Sequence, residues 1–294
     1  MGELAKRVLT ALVGIPLFLL ALVGPPANVL AEGSTWLVLV MLVALLGSVE
    51  MSSALERRDP ALRVNRLLMA LSVYLPFEAW LGAQSQASLL PTARLTALGA
   101  VLVALGWEVW QAERRQVLSA WRNLGTATLI ALYLGLLLGA WVHLRLLDAG
   151  CARADRVLSD GVRLVLLGCL SVWACDSVAY LAGSRLGRRR VAPLLSPRKS
   201  WEGAGAGVLG GMAAALLCVP LLGIPPLSAL ALGSAAACAG QVGDLFESAL
   251  KRELGVKDFG SLLPGHGGVM DRLDSLLFAL PVVYLLSHWL PICP

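Results

Sequence analysis

The sequence predicts an all-α, polytopic integral membrane protein of about nine transmembrane helices with a cytoplasmic N-terminus, and three observations carry that prediction. Of 294 residues, 57% are hydrophobic and 15% charged, and the mean hydropathy is +0.75. Soluble globular chains carry roughly 25% charged residues, so a soluble two-domain protein and a disordered chain are both excluded. The second observation is length. A helix crosses a bilayer with about 20 predominantly apolar residues, and such stretches recur at 8–26, 34–54, 67–84, 89–110, 125–144, 162–183, 203–222, 226–249 and 273–292. The third is charge placement. With the N-terminus inside, nineteen of the 24 Lys and Arg fall on the cytoplasmic side and five outside, as the positive-inside rule requires. One span miscounted would reverse every later loop.

The first span follows Lys6 and Arg7, like the start of a signal peptide. Pro25 and Pro26 make a poor small-residue cleavage site, so a retained anchor is expected. Spans two to five carry Glu50, Glu78 and Glu108 singly. Each is read as a helix-end, protonated or paired carboxylate. Residues 1–150 then form an N-terminal membrane region of five spans. Residues 151–294 form a C-terminal catalytic membrane region of four, with cytoplasmic loops 184–202 and 250–272. The nine Trp lie mostly near span ends, as interfacial anchors do. In span seven Gly203, Gly207 and Gly211 recur at four-residue spacing, a stripe suited to close helix packing. The six Cys form no CxxC pair, so a thiolate metal site is not expected. Cys151 and Cys293 fall on the same outer face, which leaves a disulfide open. The +5 net charge is clustered at span ends without a long basic tract, so no nucleic-acid partner is expected.

Function in such a chain is sought where charge opposes the solvation gradient, because an ionised group at the bilayer centre costs on the order of 3 kcal/mol or more. Asp176 lies nine residues before Arg185, roughly 13 Å below the cytoplasmic surface of span six. Asp244 and Glu247 stand three apart in span eight, followed by Ser248. Asp271 and Asp274 stand three apart at the start of span nine, followed by Ser275. The segments D-L-F-E-S and D-R-L-D-S thus sit on the cytoplasmic ends of consecutive antiparallel spans, where their acidic faces are expected to meet. Carboxylates so placed repel, and either hold protons or share a cation. Oxygen-only ligands favour a hard ion, Mg²⁺ above all, with Asp244, Glu247, Asp271 and Asp274 as candidate ligands. Capping of span nine is the alternative for Asp271 and Asp274, but it does not extend to Asp244 and Glu247.

Between the acidic segments run Lys251, Arg252, Lys257 and Asp258, then Pro264-Gly265-His266-Gly267-Gly268, with Arg272 beyond. Glycines there let bare backbone N–H groups approach an anion, and the following helix points its positive end the same way. A phosphate cradle is inferred, with His266 either assisting proton transfer, holding phosphate or serving structure. The loop after span six carries Arg185, Arg188, Arg189 and Arg190, then S-P-R-K-S-W-E-G. Ser196 is expected as a helix N-cap with Pro197 as the first helical residue. Arg198 and Lys199 in that first turn would oppose the helix dipole and welcome an anion.

The stretch from Ser248 to Asp274, S-A-L-K-R-E-L-G-V-K-D-F-G-S-L-L-P-G-H-G-G-V-M-D-R-L-D, resembles the signature of phosphatidate cytidylyltransferases (CDP-diacylglycerol synthases). The upstream S-P-R-K-S-W-E-G resembles that family's S-P-K-K-T-x-E-G, with Arg198 for Lys and Ser200 for Thr, and W-A-C-D-S-V-A-Y resembles its segment around an intramembrane aspartate. Specific resemblance covers about 165–278, and the first five spans match only in hydropathy. The resemblance implies a multi-pass enzyme of the cell (inner) membrane whose active site faces the cytoplasm. Such an enzyme transfers CMP from CTP to phosphatidic acid and releases pyrophosphate, using Mg²⁺, with K⁺ as an optional second cation. It implies catalytic roles for Asp244, Asp271, Asp274, Lys251 and His266. Substrate contacts would come from Ser196, Arg198, Lys199, Glu202, Arg252, Lys257, Asp258, Gly267, Gly268, Arg272 and Asp176. The partners are then the two substrates and the bilayer, and a homodimer stays open. The alternatives are another Mg²⁺-dependent lipid phosphotransferase or a polyprenol kinase, and an ion-coupled transporter, although acids crowding one surface in one half suit a transporter poorly.

Overall fold

The computed structural model describes residues 3–24, 31–84, 90–115, 120–151, 158–263 and 267–293. They form eleven helices and one short hairpin, in two compact units comprising Met1–His143 with Leu254–Arg272, and Leu144–Glu253 with Leu273–Pro294.

The first unit begins with α1 (Glu3–Val23) and α2 (Ser34–Arg58). Trp36 of α2 is fully buried, stacks on Trp141 with ring centroids 6.1 Å apart, and donates its indole N–H to the Trp141 carbonyl at 3.1 Å. Trp141 belongs to α6 (Ala120–Arg145), so an aromatic pair pins α2 to α6. The stretch 67–84 is covered by α3 (Arg66–Met69) and α4 (Leu71–Ala83), which part only at Ala70; Asn65 caps α3 by accepting from the Leu68 N–H while donating to the Glu108 carboxylate of α5 (Leu90–Arg115). Asn123 donates to the other Glu108 oxygen at 3.2 Å, and Arg94 meets Glu78 at 2.7 Å. Glu78 and Glu108 are thus paired acids. Nearby, a cavity of about 720 Å³ lined by Asn65, Arg66, Glu108 and Asn123 among others includes none of the candidate site residues.

The second unit contains α7 (Asp160–Leu186), a hairpin of β1 (Arg190–Ala192) and β2 (Ser196–Ser200), then α8 (Trp201–Leu217), α9 (Val219–Leu222), α10 (Pro226–Leu254) and the body of α11 (Met270–Ser287). The glycine stripe does what its spacing predicts. A Cβ on Gly203 or Gly207 would lie 2.9 Å from the carbonyl oxygens of Ala179 or Cys175 on α7, and one on Gly211 would lie 2.8 Å from the Ala237 Cβ of α10. These contacts are closer than side chains tolerate, so only glycine lets the three backbones approach. Gly243 of α10 is packed in the same way against the Asp274 backbone and the Phe278 ring of α11. At the other end Cys151 and Cys293 form a disulfide, with Cα atoms 5.2 Å apart.

Four of these helices, Ser34–Arg58, Ala120–Arg145, Asp160–Leu186 and Pro226–Leu254, are long and apolar enough to cross a bilayer, and Leu12–Val23 and Ala97–Gln111 are shorter apolar segments. The chain is an α-helical membrane protein. One correction concerns the loop after α7: Ser196 is not a helix cap. Ser196 and Pro197 open β2, which pairs antiparallel with β1 in the register Ala192↔Ser196 and Arg190↔Ser200. A two-stranded hairpin has only edge strands, where the missing N–H of proline is tolerated. The helix starts later, where the Ser200 hydroxyl accepts the Gly203 N–H at 3.1 Å. Arg198 and Lys199 therefore project from a strand rather than from a first helical turn.

Candidate active site

In the second unit the hairpin brings Lys199 to α10. Its ammonium lies 2.6 Å from Asp244 Oδ2, and both side chains are about one-third exposed. Ser248 donates to the other Asp244 oxygen at 3.4 Å. One turn further along α10, Lys251 donates to Glu247 at 2.8 Å. Glu247 is fully buried, so its carboxylate holds the Lys251 ammonium on the α10 surface. Asp176 of α7 and Asp274 of α11 complete the group. Asp176 lies in the electrostatic field of Asp244, Asp274 and Lys199, and Asp274 in that of Asp244 and Lys251. The Asp274 carboxylate accepts the Ser275 N–H at 2.7 Å. Gln241 links the helices at this depth by donating to the Ala204 carbonyl of α8 at 3.1 Å and to Cys175 Sγ of α7 at 3.2 Å.

The hairpin itself is held by Glu202, whose carboxylate accepts the N–H groups of Arg188 and Arg189 at 3.0 to 3.3 Å. Together with its own backbone N–H, the first cause, these bonds hold the Glu202 carboxyl below the usual carboxylate range. Glu202 thus shapes the segment rather than presenting a free acid. Arg252 donates to the Leu195 carbonyl at 3.3 Å, tying the end of α10 to the turn of the hairpin. Arg198 and Ser196 are on the same strand, and Arg198 contributes its carbonyl to Arg190 at 3.0 Å.

The first unit holds the glycine-rich loop. Asp271 is buried, and its carboxylate accepts the Phe259 N–H at 3.0 Å and the Gly268 N–H at 2.8 Å, closing the loop across its base. Gly267 takes φ +85°, a left-handed conformation for which glycine is suited. Lys257, Asp258 and Arg272 are exposed around it. His266, with Pro264 and Gly265, lies outside the described residues. The loop also receives two groups that the sequence did not single out for this role. Glu50 of α2 accepts the N–H groups of Val269 and Met270, and Arg57 of α2 donates to the Phe259 carbonyl at 3.2 Å. No local signal in the sequence connects α2 with a segment more than two hundred residues away.

The side chains suit a hard divalent cation in kind, since Asp176, Asp244 and Asp274 carry oxygen donors that repel one another. Among the described residues no three His, Cys, Asp or Glu side chains stand close enough to share one ion, and the Lys199 ammonium faces Asp244.

The sequence matches the model of the cytidylyltransferase family across residues 5–290. The chain is similar to a phosphatidate cytidylyltransferase of Bacillus subtilis (strain 168), at 38% identity over 166 residues covering 56% of this chain and 58% of that protein. It is also similar to a phosphatidate cytidylyltransferase of Thermotoga maritima, at 45% identity over 132 residues covering 42% of this chain and 49% of that protein. A third relative, the uncharacterized protein YnbB of Escherichia coli (strain K12), is 44% identical over 128 residues, 43% of each chain. The chain spans about half the length of the relatives it matches.

Proposed function

The chain belongs to the cytidylyltransferase family, and from that premise we propose that it transfers the CMP unit of CTP to phosphatidic acid, forming CDP-diacylglycerol and pyrophosphate at the cytoplasmic face of the inner membrane. The observation that carries the proposal is the Lys199–Asp244 pair. Through it two segments some forty-five residues apart in sequence, S-P-R-K-S-W-E-G and D-L-F-E-S, meet at 2.6 Å within one compact unit. A cation beside carboxylates at a helix end is what two polyanionic substrates need.

In the proposed reaction a phosphate oxygen of phosphatidic acid attacks the α-phosphorus of CTP in line. The bond from that phosphorus to the β-phosphate bridging oxygen breaks, and pyrophosphate leaves with the electron pair. The phosphate oxygen is already an adequate nucleophile, so no strong general base is required. The burden falls on positioning and on charge neutralisation. Lys199, Lys251 and Arg252 of the second unit, with Lys257 of the first, are assigned to phosphate oxygens; Gly267 is assigned to substrate on sequence grounds alone, since the Gly268, Val269 and Met270 N–H groups are already held by Asp271 and Glu50. Mg²⁺ is assigned to Asp244 and Asp274, with Asp271 and Glu247 joining them on sequence grounds alone; when bound, it neutralises charge on the phosphate oxygens and the leaving group. Glu247, fully buried and bonded to Lys251, is the least suited of the four.

We assign nine spans and a cytoplasmic N-terminus to the chain. The disulfide supports that orientation. It lies beside the start of α7, while Arg188 to Ser200 follow the other end of this 27-residue helix, about 40 Å away at 1.5 Å per residue. Disulfides persist in oxidising compartments outside the cytoplasm, which supports a cytoplasmic location for the opposite end, from which the Lys199 hairpin extends. The test is purified protein given α-labelled CTP and, separately, phosphatidic acid, diacylglycerol or a polyprenol. Label in CDP-diacylglycerol with phosphatidic acid alone is the expected result. Label transfer only to another acceptor, or ion flux without conversion, contradicts it.

A further inference from the structure

We propose that Glu50 of α2 is a positioning residue for the glycine-rich loop: without touching substrate, it fixes the start of α11 and with it the carboxylate of Asp271. The first turn of a helix leaves N–H groups without intrahelical acceptors, and an anion there is favoured by the helix dipole. The residues immediately before α11 offer no capping side chain, because they read Gly267-Gly268-Val269. The carboxylate is imported instead. One Glu50 oxygen accepts the Val269 N–H at 3.0 Å and the other accepts the Met270 N–H at 3.1 Å.

Two glycines record how tightly this carboxylate is seated. A Cβ on Gly260 would lie 2.5 Å from Glu50 Oε1, and one on Gly268 would lie 2.5 Å from Glu50 Oε2. Neither glycine has a positive φ, which among the described residues of this loop region belongs to Gly255 and Gly267. Backbone conformation therefore does not demand glycine at 260 or 268, whereas a Cβ at either position would displace the Glu50 carboxylate from this seat. The same face of α2 continues the grip. Gly47, one turn before Glu50, would place a Cβ 2.6 Å from Met270 Sδ, and Arg57, two turns after it, holds the Phe259 carbonyl. Phe259 in turn donates its N–H to Asp271. Both sides of the loop base are thus held from α2, and Asp271 ties them to each other. The N-terminal helices acquire a role in catalysis through this clamp, and the inference rests on the proposed cytidylyl transfer for its kinetic consequence.

The test uses the full chain in nanodiscs. Glu50→Gln keeps the shape but turns an NH₂ group toward a backbone N–H. It is expected to lower kcat by about 100-fold, the loss that a misplacement of roughly 1 Å can produce, with KM for phosphatidic acid little changed and Glu50→Asp recovering part of the rate. Amide hydrogen exchange in a peptide covering 267–272 is expected to accelerate in Glu50→Gln while exchange in α7 does not. Gly268→Ala presses on Glu50 without removing it. It is expected to slow the wild-type chain but to add nothing to Glu50→Ala, whose shortened side chain leaves room. Should Glu50→Gln fail to accumulate, Glu50→Asp and Gly268→Ala carry the test. Wild-type kcat with unchanged exchange in 267–272, or losses from Glu50→Ala and Gly268→Ala that simply multiply, overturns the proposal. Exchange needs no turnover, so an inactive wild-type chain would count against the proposed reaction while leaving the clamp to be judged on exchange alone.

Discussion

Two acids of the second unit and two of the first are held by different chemistry. Asp244 and Glu247 face side-chain ammonium groups, Lys199 at 2.6 Å and Lys251 at 2.8 Å. Asp271 and Glu50 face backbone amides, at Phe259 and Gly268 for the one and Val269 and Met270 for the other. An ammonium on a flexible stem can leave its carboxylate and follow a phosphate. A backbone amide cannot move without moving the loop. The first arrangement suits groups that exchange partners as substrates arrive, and the second suits groups that keep a loop in one shape. Substitutions should accordingly separate rate from stability differently in the two units.

The largest separation is expected at Asp244. Asp244→Asn should lower CTP turnover by about 1,000-fold, the upper range for losing one electrostatic group at a reacting centre, while thermal stability in detergent changes little. Asp271→Asn should lose both rate and stability. Its buried carboxylate accepts two amide N–H groups, and bonds to a charged group contribute roughly 1.5–3 kcal/mol each, so a lower melting temperature must accompany lost activity. Equal stability of the two variants would erase the contrast.

The lysines sharpen it within one unit. Lys251→Met removes the ammonium beside a fully buried carboxylate and should destabilise by about 3 kcal/mol. Lys199→Met breaks a pair that is about one-third exposed and should cost at most about 1 kcal/mol, yet it should cost activity. Chemical denaturation of the two variants beside their turnover rates checks both statements. Gly267→Ala forces a side chain into a backbone at φ +85° and should destabilise by roughly 1–2 kcal/mol, read as a shift of the same denaturation curve.

The smallest effect concerns pH. The Glu202 carboxyl is held below the usual carboxylate range by backbone N–H groups, so its folded pKa is depressed. Its support of the hairpin is complete above about pH 4.3 and is lost as pH falls through the depressed value. Protection of the Arg188 and Arg189 amides, relative to their intrinsic exchange rate at each pH, should fall only below that range, and Glu202→Gln should abolish that change in protection.

Much of this is legible in the sequence, and the reason is local spacing. Asp244 and Glu247, or Glu247 and Lys251, share a helical face at three- and four-residue separations, so their neighbourhood follows from helix geometry alone. The apolar stretches at α2, α6, α7 and α10 and the packing role of Gly203, Gly207 and Gly211 follow in the same way. Ser196 misleads because Ser-Pro before a polar turn suits both a helix cap and an edge strand, and pairing with Arg190 to Ala192 decides for the strand. Glu50 stays hidden because a lone carboxylate in an apolar helix carries no mark of its partners. Those partners are backbone amides, which have no sequence identity. Only the glycines at 260 and 268, which lack a positive φ, point toward a side chain pressing on the loop.

The most direct test of the whole account is a balanced assay of wild type and Asp244→Asn side by side in nanodiscs, following α-labelled CTP with phosphatidic acid and Mg²⁺. Equal amounts of CDP-diacylglycerol and pyrophosphate from the wild type, a loss of about 1,000-fold in the variant, and no product on removal of Mg²⁺ are the expected results. Undiminished turnover in Asp244→Asn, or a nucleotide product lacking the lipid, contradicts the account.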